Sequence, residues 1–207
     1  MESLFTALAI AFVSLFPIVD PPGAIPVFCT LTSGSTTDVR RKTALKTSLN
    51  VFIILIVFYF VGEFILEFFG ISLGVLKIAG GLVVANTAWD MLTNKEKLPS
   101  GNSEELQSKE DISFSPMALP LLSGPGAIGA AIGLSIPGTQ ILYTVGISIG
   151  IFLTALTVYI ELMLSIPLLK ILGKTGIDIL KRIMGFFILA IAVQLIVSGI
   201  FMVLKLQ

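Results

Sequence analysis

The stretch FPIVDPPGAIPVF, residues 16–28, sets four prolines and an aspartate inside an otherwise apolar run. Proline at position i removes the backbone bond to the carbonyl at i−4, so Pro17, Pro21 and Pro22 leave the carbonyls of Val13, Pro17 and Ile18 without their usual partners. In lipid an unsatisfied backbone group is costly, and irregular backbone survives only against protein or a watered cavity. The sequence therefore predicts a helix interrupted near residue 20, with a new half-helix beginning behind the break. Asp20 at the N-cap position and proline in the first turn are the start signals.

The stretch occurs twice. Pro17, Asp20, Pro22, Gly23, Ala24 and Ile25 align with Pro120, Ser123, Pro125, Gly126, Ala127 and Ile128 at a constant offset of 103. Further on, KIAGG at 77–81 is similar to RIMGF at 182–186. In the second copy Pro120 and Pro125 free the carbonyls of Pro116 and Leu121, and Ser123 takes the N-cap position that Asp20 holds in the first.

Composition supplies the surroundings. The 207 residues are 55% hydrophobic and 13% charged, with a mean hydropathy of +1.01, which marks an integral membrane protein. A helical span needs about 20 apolar residues, and six can be read, at 4–30, 48–69, 71–92, 113–136, 140–169 and 183–205. The first lacks the basic start and small-residue cleavage site of a signal peptide and is expected to remain in the mature protein. The expected fold is an all-α membrane protein of six helices. It consists of a three-span repeat at 1–93, a polar linker at 94–112 and a second three-span repeat at 113–207, the first helix of each repeat being discontinuous.

Charge orients these spans. If all six cross, eleven of the thirteen basic residues fall on one side. They cluster around residues 40–46, in the linker and at 170–182, read here as loops, so the positive-inside rule makes that side cytoplasmic. Both termini are then outside and the linker is cytoplasmic. Three spans per repeat reverse the second copy, and inverted repeats with broken first helices are a mark of secondary transporters.

Two helix N-termini therefore approach the midplane from opposite leaflets, each carrying roughly half a positive charge. Their first free amides are expected at Gly23 and Ala24 in one copy and at Gly124, Gly126 and Ala127 in the other. These amides suit an anion, and the released carbonyls suit a cation. A zwitterion satisfies both. The substrate-binding candidates are thus Asp20, Pro21, Pro22, Gly23 and Ala24 with Ser123, Gly124, Pro125, Gly126 and Ala127. With glycine and alanine at the breaks and no charge but Asp20, the pocket favours a small neutral amino acid.

Together, FPIVDPPGAIPVF, LKIAGG, ALPLLSGPGAIGAAI and RIMGFFILAIAVQLIVSGI resemble the MarC family of six-span prokaryotic membrane proteins, which includes SnatA-type transporters of small neutral amino acids. The likeness covers nearly the whole chain. It implies a prokaryotic cell membrane and transport of substrates such as glycine and alanine, with proton coupling proposed.

Other polar residues fall inside the spans. Glu161, deep in the fifth, joins Asp20 as a proton-coupling candidate, since ionisable residues within a bilayer are usually functional. Asn86 and Gln194 are further substrate-binding candidates, although interhelical hydrogen bonding explains them, and Thr87, equally well. Glu63, Glu67 and Lys77 read as structural, and Trp89 with Asp90 as an interfacial pair needing no further role.

Zero net charge argues against a nucleic-acid partner. Without histidine and with Cys29 alone, neither a His-based metal site nor a disulfide framework can form, and no cofactor is expected. Ser-His chemistry is excluded with it, so the chain reads as no enzyme. A channel or passive exporter of small polar solutes is the alternative to a carrier. Lipid, small neutral amino acids and protons are the expected partners, and a homo-oligomer stays open.

Overall fold

The computed structural model describes residues 2–93, 112–135 and 140–204. Most of the 94–112 linker lies outside the described residues. Eight helical segments follow in order: α1 (Glu2–Val19), α2 (Pro21–Leu31), α3 (Thr37–Phe69), α4 (Leu73–Leu92), α5 (Ser113–Leu122), α6 (Pro125–Gly133), α7 (Ile141–Met163) and α8 (Ser165–Val203). No strand occurs among the described residues.

Four helices are long and apolar enough to cross a membrane, and two bent pairs bring the number to six. α1 and α2 meet at 44°, α5 and α6 at 65°. These are the two interrupted spans expected from the prolines. Two loop expectations are corrected. The basic stretch at 40–46 is already helical inside α3, which starts at Thr37 where the Thr36 hydroxyl caps the Val39 amide. The 170–182 stretch is helical too, apart from a break at Gly173 (φ 65°). Both are polar ends of helices that overshoot the apolar core, an extension that hydropathy alone does not reveal.

Small residues bring the helices together. On α4 Gly74, Gly81 and Ala88 recur every seventh residue, and on α8 Gly185, Ala192 and Gly199 do the same. A Cβ added at Gly81 would lie 2.9 Å from the Ala192 carbonyl, and one at Gly199 2.6 Å from that of Gly74. Ala88 and Ala192 have no exposed surface. The two stripes run antiparallel with backbones in contact, the close approach that small residues permit in lipid, where no hydrophobic force joins helices.

A second seam joins α1 to α7. A Cβ at Gly146 would lie 2.6 Å from the Leu4 carbonyl, and one at Gly150 2.8 Å from that of Leu8. Four residues of advance on one helix match four on the other, so these helices run parallel. α3 runs antiparallel to α7, tied by the Ser48 hydroxyl donating to the Ala155 carbonyl at 2.8 Å and by the edge-to-face rings of Phe52 and Phe152.

The packing recurs between the halves of the chain. α1 packs on α7 as α5 and α6 pack on α3, and α2 packs on α8 as α6 packs on α4. The exposed large side chains, Phe60, Phe64, Phe152, Phe186 and Val193 among them, form the lipid-facing surface such a bundle requires.

Candidate functional site

The first break turns on one residue. α1 keeps its hydrogen bonding as far as the Asp20 amide, which donates to Phe16 at 3.1 Å. Asp20 then adopts the left-handed conformation (φ 49°, ψ 60°), which aspartate tolerates better than most residues. Pro21 and Pro22 open α2 without amide protons to satisfy, and the Gly23 amide donates to Asp20 Oδ1 at 3.3 Å. Asp20 is therefore the N-cap expected from the sequence. The expectation of a free Gly23 amide is corrected, because the carboxylate of its own cap takes that donor.

The second break is built differently. α5 is irregular, with extended backbone at Ser115 and Leu119, and its Ser123 amide reaches back five residues to Ala118. The N-cap of α6 is Gly124 (φ −67°, ψ 176°) and not Ser123, and no side chain caps this helix. The Ser123 side chain turns into the protein, fully buried, its Oγ without a hydrogen-bond partner among the described residues. The regular helix begins where the Ile128 amide donates to Gly124. The first-turn amides of Gly126 and Ala127 precede that bond and have no carbonyl one turn back within α6.

The two breaks meet. A cavity of about 300 Å³ is lined by Asp20, Gly23 and Ala24 from one side and by Gly124, Pro125, Gly126 and Ala127 from the other. They touch nearly directly, since a Cβ at Gly126 would strike Val84 Cγ2 and lie 3.7 Å from Ile18 Cγ2. Pro21 and Pro22 shape α2 but lie outside the lining, as does Ser123. Asn86 and Gln194 are also outside it, both exposed; the Gln194 amide donates to the Ser198 hydroxyl at 3.3 Å.

The walls that α4 and α8 add to the cavity were not among the expected site residues. α4 presents Val83, Val84, Thr87, Asp90 and Met91 to the cavity, while α8 presents Lys181 and Ile188. Val83, Thr87 and Asp90 recur at helical spacing on one face, so Thr87 and the break-facing Val84 could have pointed to Asp90. Asp90, expected only at an interface, borders the cavity. Nothing in the sequence joins Lys181 to this wall before α4 and α8 are known to be neighbours.

Glu161 lies outside the lining but close behind it. Extending the parallel α1–α7 register sets it level with Val19 and Asp20. The residue is half-buried, and its Oε2 is enclosed with no hydrogen-bond partner among the described residues. Among the described residues no group of acids and cysteine could hold a metal ion.

Six helical spans, two of them broken beside a shared charged cavity, define an integral multi-pass membrane protein with a buried polar site. The chain belongs to the MarC family of integral membrane proteins, whose model matches residues 5–204. It is 38% identical to the UPF0056 membrane protein YhcE of Escherichia coli over 91% of this chain and 89% of that protein. It is also 38% identical to the UPF0056 membrane protein MJ1677 of Methanocaldococcus jannaschii, covering 92% and 94% respectively. The UPF0056 inner membrane protein MarC of Escherichia coli is 32% identical over 99% of both chains. No solved structure matches.

Proposed function

We propose that this protein is a secondary transporter of small neutral amino acids such as glycine and alanine, a carrier and not an enzyme. The observation that carries the reading is the meeting of the two breaks around one cavity. One break contributes the Asp20 carboxylate and the other an uncapped helix start. An amino acid fits by its main-chain atoms: its ammonium at Asp20, its carboxylate at the Gly126 and Ala127 amides, where the α6 dipole favours negative charge.

The recurrent packing of the two halves supports a pair of inverted three-helix repeats. Such repeats alternate access by rocking about a fixed site. The lining runs from the breaks toward the ends of α2 and α4, where Thr30 and Asp90 lie, and toward Lys181 in α8. With the basic side inward, that cavity faces the cytoplasm and both termini face outward. On the far side of the breaks α4 and α6 are closely packed, a Cβ at Gly129 falling 3.7 Å from the Gly80 Cα. The arrangement is that of an inward-facing carrier. Of the two proton-coupling candidates, Glu161, with its enclosed and unbonded oxygen, is the group that would take a proton with the substrate, since Asp20 must stay ionised to hold the ammonium.

The test is uptake of labelled glycine into proteoliposomes holding the full chain. Saturable uptake, accelerated by unlabelled glycine on the opposite side, supports a carrier; flux linear in concentration without counterflow identifies a channel.

A further inference from the structure

Lys181 belongs to the cavity wall without being part of either break. It projects from α8 on the same cavity as Asp20 and Asp90. α8 cannot slide easily along α4, because a Cβ at Gly185 would lie 3.2 Å from the Ala88 carbonyl and 3.0 Å from the Met91 Cβ. This locked antiparallel register keeps Lys181 beside the end of α4 that carries Asp90. A long, flexible lysine thus lines one cavity with two carboxylates, one at the break and one toward the end of α4.

The charges in the space make that placement consequential. Asp20 and Asp90 are the acids of the lining and Lys181 its cation, with Glu161 behind the wall at the level of Asp20. An empty site leaves the Asp20 carboxylate inside a membrane span with the Gly23 amide as its bonded donor and no fixed cation, a placement that is costly for an ionised group. A substrate ammonium would relieve that cost on arrival, but an empty carrier must change conformation without one.

We infer that Lys181 is the built-in counter-cation of Asp20, occupying the place of the substrate's ammonium when the carrier is empty and withdrawing toward Asp90 when substrate binds. The inference rests on the transporter reading and deepens it: a ligand must bring a primary ammonium that competes with a lysine for one carboxylate. Lys181 is then a positioning residue for the return of the unloaded carrier. It is not needed for exchange of one substrate molecule for another, because the site is never empty during that conversion.

The experiment compares two fluxes of glycine in proteoliposomes, net uptake into empty vesicles and exchange into vesicles preloaded with glycine, for the native chain, Lys181→Gln and Lys181→Arg. Lys181→Gln is expected to lose most net uptake and keep its exchange, while Lys181→Arg keeps both. Glycine binding in detergent gives a gain that a misfolded variant could not produce. If the lysine occupies Asp20 nine-tenths of the time, removing it tightens apparent affinity about tenfold. Lys181→Gln that retains both fluxes, loses both in proportion, or binds glycine no more tightly overturns the lysine's role and leaves the transporter standing. A native chain without either flux overturns the transporter reading and the lysine's role with it.

Discussion

The two breaks are written with nearly the same residues and do different things. At the first, Asp20 bends the chain through a left-handed residue and folds its carboxylate back onto the Gly23 amide. At the second, Ser123 turns away and Gly124 starts a helix that no side chain caps. The exchanges of Asp20 for Ser123 and Pro21 for Gly124 within a duplicated motif, with the irregular α5 before the second copy, make one end acidic and self-satisfied, the other electropositive and open. A site assembled from both is matched to a ligand with two charges, which neither copy alone could be.

The largest expected effect attacks the open break. Gly126→Leu would drive a side chain into Val84 and the cavity, and glycine uptake should fall to background. The milder Gly126→Ala meets first the Val84 and then the Ile18 side chain, so Gly126→Ala should impair uptake, and Val84→Ala in the same chain should recover part of it. Failure of that rescue would show that Gly126 matters for some reason other than space.

The next effect attacks the acidic break. Asparagine tolerates the left-handed conformation and can still cap Gly23, so Asp20→Asn should fold and lose only the charge. A hydrogen bond to a charged group is worth roughly 1.5–3 kcal/mol, so glycine should bind about 10- to 150-fold more weakly, as read by equilibrium binding. Combining Asp20→Asn with Glu161→Gln should abolish uphill accumulation driven by a proton gradient; a double variant that still concentrates glycine removes these carboxyls from coupling.

The smallest effect sharpens the comparison most. Ser123 has the sequence position of Asp20 but a buried hydroxyl with no hydrogen-bond partner among the described residues. Ser123→Ala should therefore leave uptake intact and, by removing an unsatisfied polar group, leave the melting temperature unchanged or higher. The same truncation at position 20 should cost the α2 cap about 1 kcal/mol.

The fold was largely legible because its determinants are local. Proline marks both interruptions, apolar length marks the spans, and the offset between the copies is visible by inspection. The acidic half of the site was legible for the same reason: Asp20 caps the helix that follows it in sequence. The rest depends on neighbours. Gly124 takes the cap from Ser123 because α5 is too irregular to deliver the serine, a consequence of Pro116 and Pro120 that residue alignment cannot express. Asp90 and Lys181 reach the cavity only through the seven-residue stripes that join α4 to α8, and Asn86 and Gln194 miss it because they face away from that seam.

The central claim is that both charges of one small ligand are held at once, each by a different break. The direct measurement is thermal stabilisation of the detergent-solubilised protein by glycine, glycinamide and acetate over a range of concentrations, since a ligand of the folded state raises its stability by mass action. The account predicts stabilisation that grows with glycine and is absent with glycinamide, which lacks the carboxylate, and with acetate, which lacks the ammonium. Stabilisation by either analogue equal to that by glycine would contradict it.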